Sequence, residues 1–551
     1  MKRSILLVLA IMFVSAFAFA GSQSEAGSTG LVGTVNPGGT FPIVDEPVTM
    51  SAFAPLNMNV DTLSIERNVL TQHLAELTNV RLDFVEVPSA QATEKLNILL
   101  ASGDYTDIIF RNLTKSSELL YGQQGVLVVL NDYIEEYGVE TKKMWSTREH
   151  IRLNQIQSDG NIYGMARSNE CFHCFYSQKM WVNTEWMTTL GLDIPTTLDE
   201  YADMLRAFKT QDPNGNGKAD EIPLSGSYVN GWNTKIDQYL MMPFIYNDGG
   251  NRHLIRDGQI IQAYSQPEWR EGLKWMSMLY EEGLILHDTF TQDQTQLKAL
   301  GENPGDAILG AFSAGYVGIA MQMEGPSGRD QIYKTIPPLN GPSGDRYARF
   351  TPDYGWNNYY VTNTAENPAA AFRLGDYMYT PEFSVWNGWG MEGDTWGPPD
   401  AGAKGLDGVR PATRKMLLSW GNGNPLTWWN QLGSFLQSQE VRQGAQRSDS
   451  PSDLEVILFD ETKNNYEPYT PPMSMIVPPL TFGEDVAAEL SDLETSLNDY
   501  VLESIARFIT GDLDIESNDW ANYLGELDKI GVDRYVEIKQ EAYESSPFFQ
   551  D

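Results

Sequence analysis

The sequence predicts an α/β protein built from two or three lobes. Three observations carry this: strands and helices alternate after residue 45, the alternation returns near residue 197, and about 530 residues remain beyond an amino-terminal leader. Val48 to Phe53 reads as a first strand and Leu63 to Leu77 as a helix. Val80 to Val87 largely alternates apolar and polar side chains, as a strand does. Ala92 to Ala101 is helical again, and Asp107 to Phe110 gives a third short strand. A β-α-β-α-β order needs crossover connections, so the sheet is expected to be largely parallel with helices on its faces.

The second set of elements opens at Thr197, which with Glu200 forms a capping box. Leu198, Tyr201, Leu205 and Phe208 trace the apolar face of the helix that follows. Ser265 and Glu268 suggest another box, Trp269, Leu273, Met276 and Tyr280 a buried face, and Gly283 the stop. Val317 to Gln322 and Tyr359 to Thr362 are expected strands, and Asn367-Pro368 opens a helix through Met378. Val486, Leu490, Leu493, Leu497, Val501, Ile505 and Phe508 recur at helical spacing until Gly511, so the carboxy-terminal part is expected to be helical.

The leader is read from Lys2 and Arg3, an apolar run from Ile5 to Phe19, and the small-x-small site Ala18-Phe19-Ala20. Residues 1–20 are thus expected to be a signal peptide cleaved after Ala20. The apolar run is short for a membrane span. Residues 21–44, rich in Gly and Ser, are expected to form a flexible tether. No cysteine lies near the cleavage site, so no lipid anchor is expected. A net charge of −36 argues against nucleic acid and anionic membranes as partners. It leaves room for an acidic ligand held by a local arginine. The two cysteines, Cys171 and Cys174, flank His173. A local disulfide, buried free thiols, and redox or metal chemistry all remain open, although one pair cannot build a four-ligand zinc site alone.

Residues 212 to 223 form the densest motif. Asp212, Asn214 and Asn216 place side-chain oxygens at alternate positions, Gly217 permits the sharp turn, Lys218 offers its backbone carbonyl, and Asp220 holds the ninth position. This is the pattern of a calcium loop, with Ca2+ in a structural role, weighed against a solvated Asp/Asn/Gly turn. The acid expected at the twelfth position is replaced by Pro223, leaving Glu221 to close the shell. Ile222-Pro223 also excludes the exit helix that a calcium sensor swings.

Glu94 to Asp104 with Asp107-Ile108, Leu130-Asn131-Asp132-Tyr133-Ile134, Asp159 to Gly164, Val182-Asn183 through Gly191-Leu192, and Pro195 to Glu200 form an ordered series of segments. Tyr280 to Ile285, Asp376 to Tyr379 and Leu527 to Tyr535 follow in order. Together these segments resemble family 1 extracellular solute-binding proteins of bacterial ABC transporters. Asp212 to Glu221 is similar to the calcium loop of the subgroup that includes alginate-binding and other oligosaccharide-binding members. The resemblance implies the type II periplasmic binding-protein fold, two α/β lobes around a ligand cleft with a closing hinge and a helical carboxy-terminal part. It places lobe 1 at 45–160 plus 316–375 and lobe 2 at 161–315 plus 376–551. It further implies a monomeric, non-enzymatic periplasmic receptor that passes its ligand to the permease subunits of an importer. A secreted calcium-stabilised polysaccharide hydrolase or lyase, and a peptide receptor of the same fold, are the alternatives.

Sugars present apolar C–H faces and rings of hydroxyls, so their sites pair aromatic platforms with polar side chains. Trp386, Trp389 and Trp396 crowd together with Glu392 in a Gly-rich stretch expected to be a loop after a helix. Trp356 with Asp353, and Trp232 with Asn233, are comparable, each weighed against an ordinary core role. Arg167 and Glu324, at expected element ends, are polar candidates. Gly388 to Gly393 matches G-x-G-x-x-G, but it lacks a preceding strand and carries Trp389 where a phosphate would approach.

Overall fold

The computed structural model of the chain describes residues 33–57, 59–418 and 423–549. The expected leader and residues 21–32 lie outside the described residues. Two mixed sheets organise the molecule. The first contains β1 (Val48–Leu56), β2 (Val80–Pro88), β3 (Ile108–Ile109) and β4 (Gly164–Asn169). The second contains β5 (Met180–Asn183), β6 (Ile222–Ser225), β7 (Leu309–Ser313) and β8 (Tyr333–Ile336). The chain then returns to the first sheet for β9 (Trp356–Val361) and β10 (Phe435–Gln437). The orders are β10-β4-β9-β3-β1-β2 and β8-β5-β7-β6.

In the first sheet β9 alone runs against its neighbours, antiparallel to both β3 and β4. In the second, β5 is antiparallel to both β7 and β8. Each is the strand by which the chain enters one sheet from the other. A strand entering from the far lobe starts at the shared boundary and runs away from it, whereas strands fed by crossover helices end there. This is the physical reason for one reversed strand in each sheet.

Apolar side chains cover both faces of each sheet. On the first, Leu70, Leu74, Tyr359, Phe372 and Trp429 pack on one face, and Phe53, Leu96, Ile109 and Tyr163 on the other. On the second, Tyr201, Leu205, Phe208 and Trp269 belong to one cluster, and Trp181, Leu309 and Phe312 to another. Thr197 Oγ1 accepts from the Glu200 amide, and the Glu200 carboxylate accepts from the Thr196 and Thr197 amides. A cap of this kind stabilises the helix Leu198–Thr210 by about 1 kcal/mol.

Several elements differ from expectation. The helix expected from Leu63 begins at Val69, because the Asn68 side chain accepts from the Leu70 and Thr71 amides and is the better cap. The Ser265 box does not form: Ser265 Oγ donates to the Gln262 carbonyl, and the helix starts at Pro267, whose fixed φ suits the first helical position. Val317 to Gln322 is not a strand, and Val317–Ile319 is a short 3-10 turn packed in the core. Residues 33–44 are packed where a tether was expected. Val35 bridges Val44, Ile43 is fully buried, and Arg373 donates to the carbonyls of Asn36 and Thr40.

Strand membership also crosses the expected lobe boundaries. Residues 333–336 supply β8 to the second sheet because the chain returns to the first sheet at β9 rather than near residue 316, and 435–437 supply β10 to the first because the chain leaves it after β10 rather than near residue 375. The chain passes between the sheets through residues 170–179, 351–355 and 448–453. The Asp353 carboxylate ties the middle passage to β4, accepting from Ser168 Oγ and from the Asn169 and Gly355 amides.

Candidate ligand crevice and metal loop

In open α/β sheets, ligands bind outside the carboxyl ends of the parallel strands. Here those ends, at β4 and β10 in the first sheet and β6 and β7 in the second, meet at the boundary crossed by the three passages. Among the described residues only two tryptophans are strongly exposed, Trp356 at 44% and Trp232 at 41%, and one stands at each side of this boundary.

Trp356 opens β9, and Arg167 on the neighbouring β4 lies 4.7 Å from its ring centroid and 4.9 Å from that of Phe435 on β10. Three segments far apart in sequence thus stack an aromatic, a guanidinium and an aromatic. Burial pulls the Arg167 guanidinium down to about 10, opposed by the nearby Asp353. Trp232 follows β6 in the loop to helix Asp237–Leu240, with Tyr316 6.3 Å away. Gly315 is required beneath it, because a Cβ there would collide with the indole. The next residue, Asn233, accepts at Oδ1 from Arg349 at 2.9 Å, and its carbonyl accepts from Ser313 Oγ at 2.9 Å. Arg349 and Trp356 are seven residues apart along the middle passage, so the two tryptophan groups are tied within about 25 Å of chain.

Within these two groups are buried polar atoms with no hydrogen-bond partner in the protein: Arg167 Nε on one side, and Asn233 Nδ2, Arg349 Nε and Gln178 Oε1 on the other. Sequence reasoning missed Arg349 and Gln178. The Arg346-Tyr-Ala-Arg349 pair of cations within a strongly acidic chain was the available signal. Nothing local marked Gln178.

The remaining tryptophans lie elsewhere. Trp386 and Trp389 belong to helix Pro381–Trp389 rather than to a loop, because Thr380 caps it and Pro381 starts it. Trp389 is 8% exposed and has the Arg414 guanidinium 4.5 Å from its ring. Trp386, Glu392 and Trp396 line a separate cavity of about 990 Å³ whose walls come from residues 140–170, 379–414 and 436–441. Glu324 sits in a left-handed turn with φ 54°, its amide bonded to Asp330, and joins neither group.

The candidate metal loop runs from helix Leu198–Thr210 to β6, an edge strand, where Pro223 is tolerated. Asp212 is left-handed, with Oδ1 accepting from the Asn216 amide and Oδ2 from the Gly217 amide. Asn214 and Asn216 donate their side-chain amides to Asp220 at 3.2 Å, and Lys218 donates its backbone N–H to Asn216 Oδ1. Glu221 Oε1 is buried without a partner, and burial, then the charges of Asp220 and Asp212, raise its carboxyl above the ordinary range. A carboxylate so placed fits a cation, and a half-turn of each amide would present oxygen in place of nitrogen. The acids alone do not converge as a trio within 4.8 Å, so the asparagine and Lys218 oxygens are needed to complete a shell.

Cys171 and Cys174 are joined in a disulfide on the first passage, which settles the question left open by their spacing. His173 Nε2 lies 3.3 Å from Cys171 Sγ, and burial, then the Arg442 and Lys179 charges, hold its imidazole neutral.

Residues 64–383 match the family model described as bacterial extracellular solute-binding protein. The "Fructooligosaccharide ABC transporter substrate-binding protein FusA" of Streptococcus pneumoniae is 27% identical over 523 residues, 92% of each chain. A solved structure of FusA from that organism, an "EF-hand mutant in complex with fructo-nystose", superposes with a TM-score of 0.70 at 24% identity, covering 90% of this chain and 99% of that one. An "HMO binding ABC-transporter associated Solute Binding Protein" from Bifidobacterium longum infantis gives a TM-score of 0.74 at 19% identity, covering 91% and 99%.

Proposed function

Starting from the membership of this chain in the bacterial extracellular solute-binding proteins, we propose that it captures a neutral oligosaccharide between its two lobes and delivers it to an ABC importer in the cell envelope. The observation that carries the reading is the pair of exposed tryptophans, Trp356 and Trp232, facing one boundary from opposite sheets. Each ring offers a platform to a sugar C–H face. Arg167 fixes the Trp356 ring from beneath, and Arg349 fixes Asn233 beside Trp232. The unpartnered atoms within the two groups are a mixture of donors and acceptors. Sugar hydroxyls, being both, suit such a mixture once the lobes close. The carbohydrate named for FusA points to the same ligand class.

The chain's role is to bind, orient and release. The reversed strands β9 and β5 carry the first residues on each side of the passages, so hinge motion at 170–179 and 351–355 moves Trp356 relative to Trp232. Asp212, Asn214, Asn216, the Lys218 carbonyl, Asp220 and Glu221 would hold a calcium ion. When bound, it neutralises the carboxylates and pins the helix Leu198–Thr210 to β6. Export to the periplasm is part of the same proposal.

The test is titration calorimetry of the calcium-loaded chain against neutral oligosaccharides, oligouronates and peptides, with the ligand masses measured afterwards. Saturable binding of a neutral oligosaccharide with its mass unchanged is expected. Peptide binding alone, or sustained cleavage of the sugar, would overturn the proposal.

A further inference from the structure

We propose that the cavity beside the first sheet is a second saccharide site, separate from the interlobe crevice, that takes a neutral sugar unit through Trp386 and Trp396. The inference rests on the reading of this chain as a saccharide receptor. None of Trp232, Trp356 or Arg167 lines the cavity, and every wall residue except Glu170, at the start of the first passage, comes from the polypeptide that builds the first sheet. Its volume, about 990 Å³, is at the upper end of the range for small-ligand sites.

Both aromatic platforms are held in place before any ligand arrives. Trp386 meets His73 edge to face, with centroids 4.5 Å apart and planes at 90°. Trp396 Nε1 donates to the Gly390 carbonyl at 2.7 Å, and Glu392 pairs in a β-bridge with Trp396. Rings fixed in this way lose little freedom on binding, which favours affinity. Trp389, in the same helix as Trp386, is unavailable because guanidinium groups of Arg414 and Arg442 lie 4.5 and 5.7 Å from its ring.

The charges select the ligand. Five glutamates line the cavity against three cations, Lys143, Arg148 and Arg414. Lys143 is paired with Glu140 at 3.0 Å, and Arg148 with Glu170 and Glu440. Arg414 is buried and donates to the carbonyls of Val441 and Arg442, leaving Nε unpartnered. The surplus carboxylates accept hydrogen bonds from hydroxyls and repel an acidic sugar. The site therefore discriminates against uronates.

The cavity also touches the passages between lobes. Glu170 is on the first passage, and Ser438 and Glu440 follow β10 toward the third. The Gln439 amide donates to the Glu170 carboxylate, and the Glu170 amide to the Gln437 carbonyl. A sugar seated here contacts the segments that move when the crevice closes, so its occupancy is coupled to closure wherever it binds one state better.

The probe is kestose, with a trigalacturonate as the acidic control, added to the calcium-loaded full chain and followed by saturation-transfer NMR. In a Trp232→Ala/Trp356→Ala variant, a weak saturable kestose signal is expected to remain. Adding Trp396→Ala should weaken it about tenfold or more, and the trigalacturonate should give no signal. Glu392→Gln, which keeps the shape of the wall, serves if the tryptophan variant does not fold and should weaken the same signal. Wild-type binding with no residual signal in the double variant, or a residual signal indifferent to both cavity substitutions, overturns the second site and leaves the crevice standing. Failure of the wild-type chain to bind any saccharide overturns both.

Discussion

The loop at Asp212 to Glu221 and the crevice around Trp232 and Trp356 are assembled in opposite ways. The loop draws its oxygens from ten consecutive residues between one helix and one edge strand. The crevice draws on β4, β6, β7, β9 and the passages between them, so Arg167 reaches Trp356 across 189 positions of sequence and Arg349 reaches Asn233 across 116. A contiguous site depends on local turn geometry and is coupled to local stability. A dispersed one depends on the relative placement of two lobes and can change its ligand affinity with little effect on the folding of either. The loop should therefore govern stability and the crevice affinity, and the two should be separable by mutation.

The largest separation is expected at the loop. Calcium in hundredfold excess over its dissociation constant stabilises by about 2.7 kcal/mol. Chelation of the wild-type chain, or Asp220→Ala, should lower the melting temperature by several degrees. Calorimetric affinity for the oligosaccharide at a temperature where both chains are folded should be unchanged. If Asp220→Ala weakens ligand binding as much as it lowers the melting temperature, the two regions are not independent.

The converse comes next. Trp356→Ala removes an exposed ring, so its melting temperature should match wild type while affinity falls by about 2 kcal/mol, roughly 30-fold. A drop in stability of similar size would show that the ring supports the fold through Arg167 rather than the ligand.

A pH series sharpens the loop side. Because the Glu221 carboxyl is raised by burial and by Asp220 and Asp212, its contribution in the metal-free chain is present below the ordinary carboxylate range and lost as pH rises through the raised value. Calcium favours the ionised carboxylate, so the melting-temperature gain on adding calcium should grow as pH rises from the ordinary carboxylate range through the raised value. A gain independent of pH would remove Glu221 from the coordination shell.

A further effect, read only from the pH dependence of stability, is expected next to the first passage. Lys179 is fully buried, donates to the His173 carbonyl at 3.0 Å, and is brought down by burial to about 7 from an ordinary 10.5. The unfolded chain binds the extra proton across that window, so stability should rise with pH between these values. Lys179→Met should flatten this rise, as read from chemical denaturation at several pH values.

The same contrast explains what the sequence could reveal. Asp212, Asn214, Asn216 and Asp220 stand at fixed offsets within one turn, so the chain displays their geometry directly, and Thr197-x-x-Glu200 displays its cap in the same way. The β-α-β-α-β opening was legible because helix and strand periodicities are local. The hidden features all depended on partners distant in sequence. Trp232 and Trp356 could be named as candidates, but their common boundary depends on the reversal of β5 and β9. Trp386 and Trp389 look like cleft residues until the capped helix Pro381–Trp389 turns one toward a separate cavity and places the other against Arg414. Arg373 holds residues 36 and 40 across more than 330 positions, which no reading of a Gly-rich stretch could supply.

The central claim is that the crevice between the lobes is the principal oligosaccharide site. Calorimetric titration of the calcium-loaded Trp232→Ala/Trp356→Ala variant against the oligosaccharide that wild type binds tests it directly. A melting temperature equal to that of wild type and an affinity weaker by about 100-fold or more are expected. An affinity within about twofold of wild type in a folded double variant would contradict it.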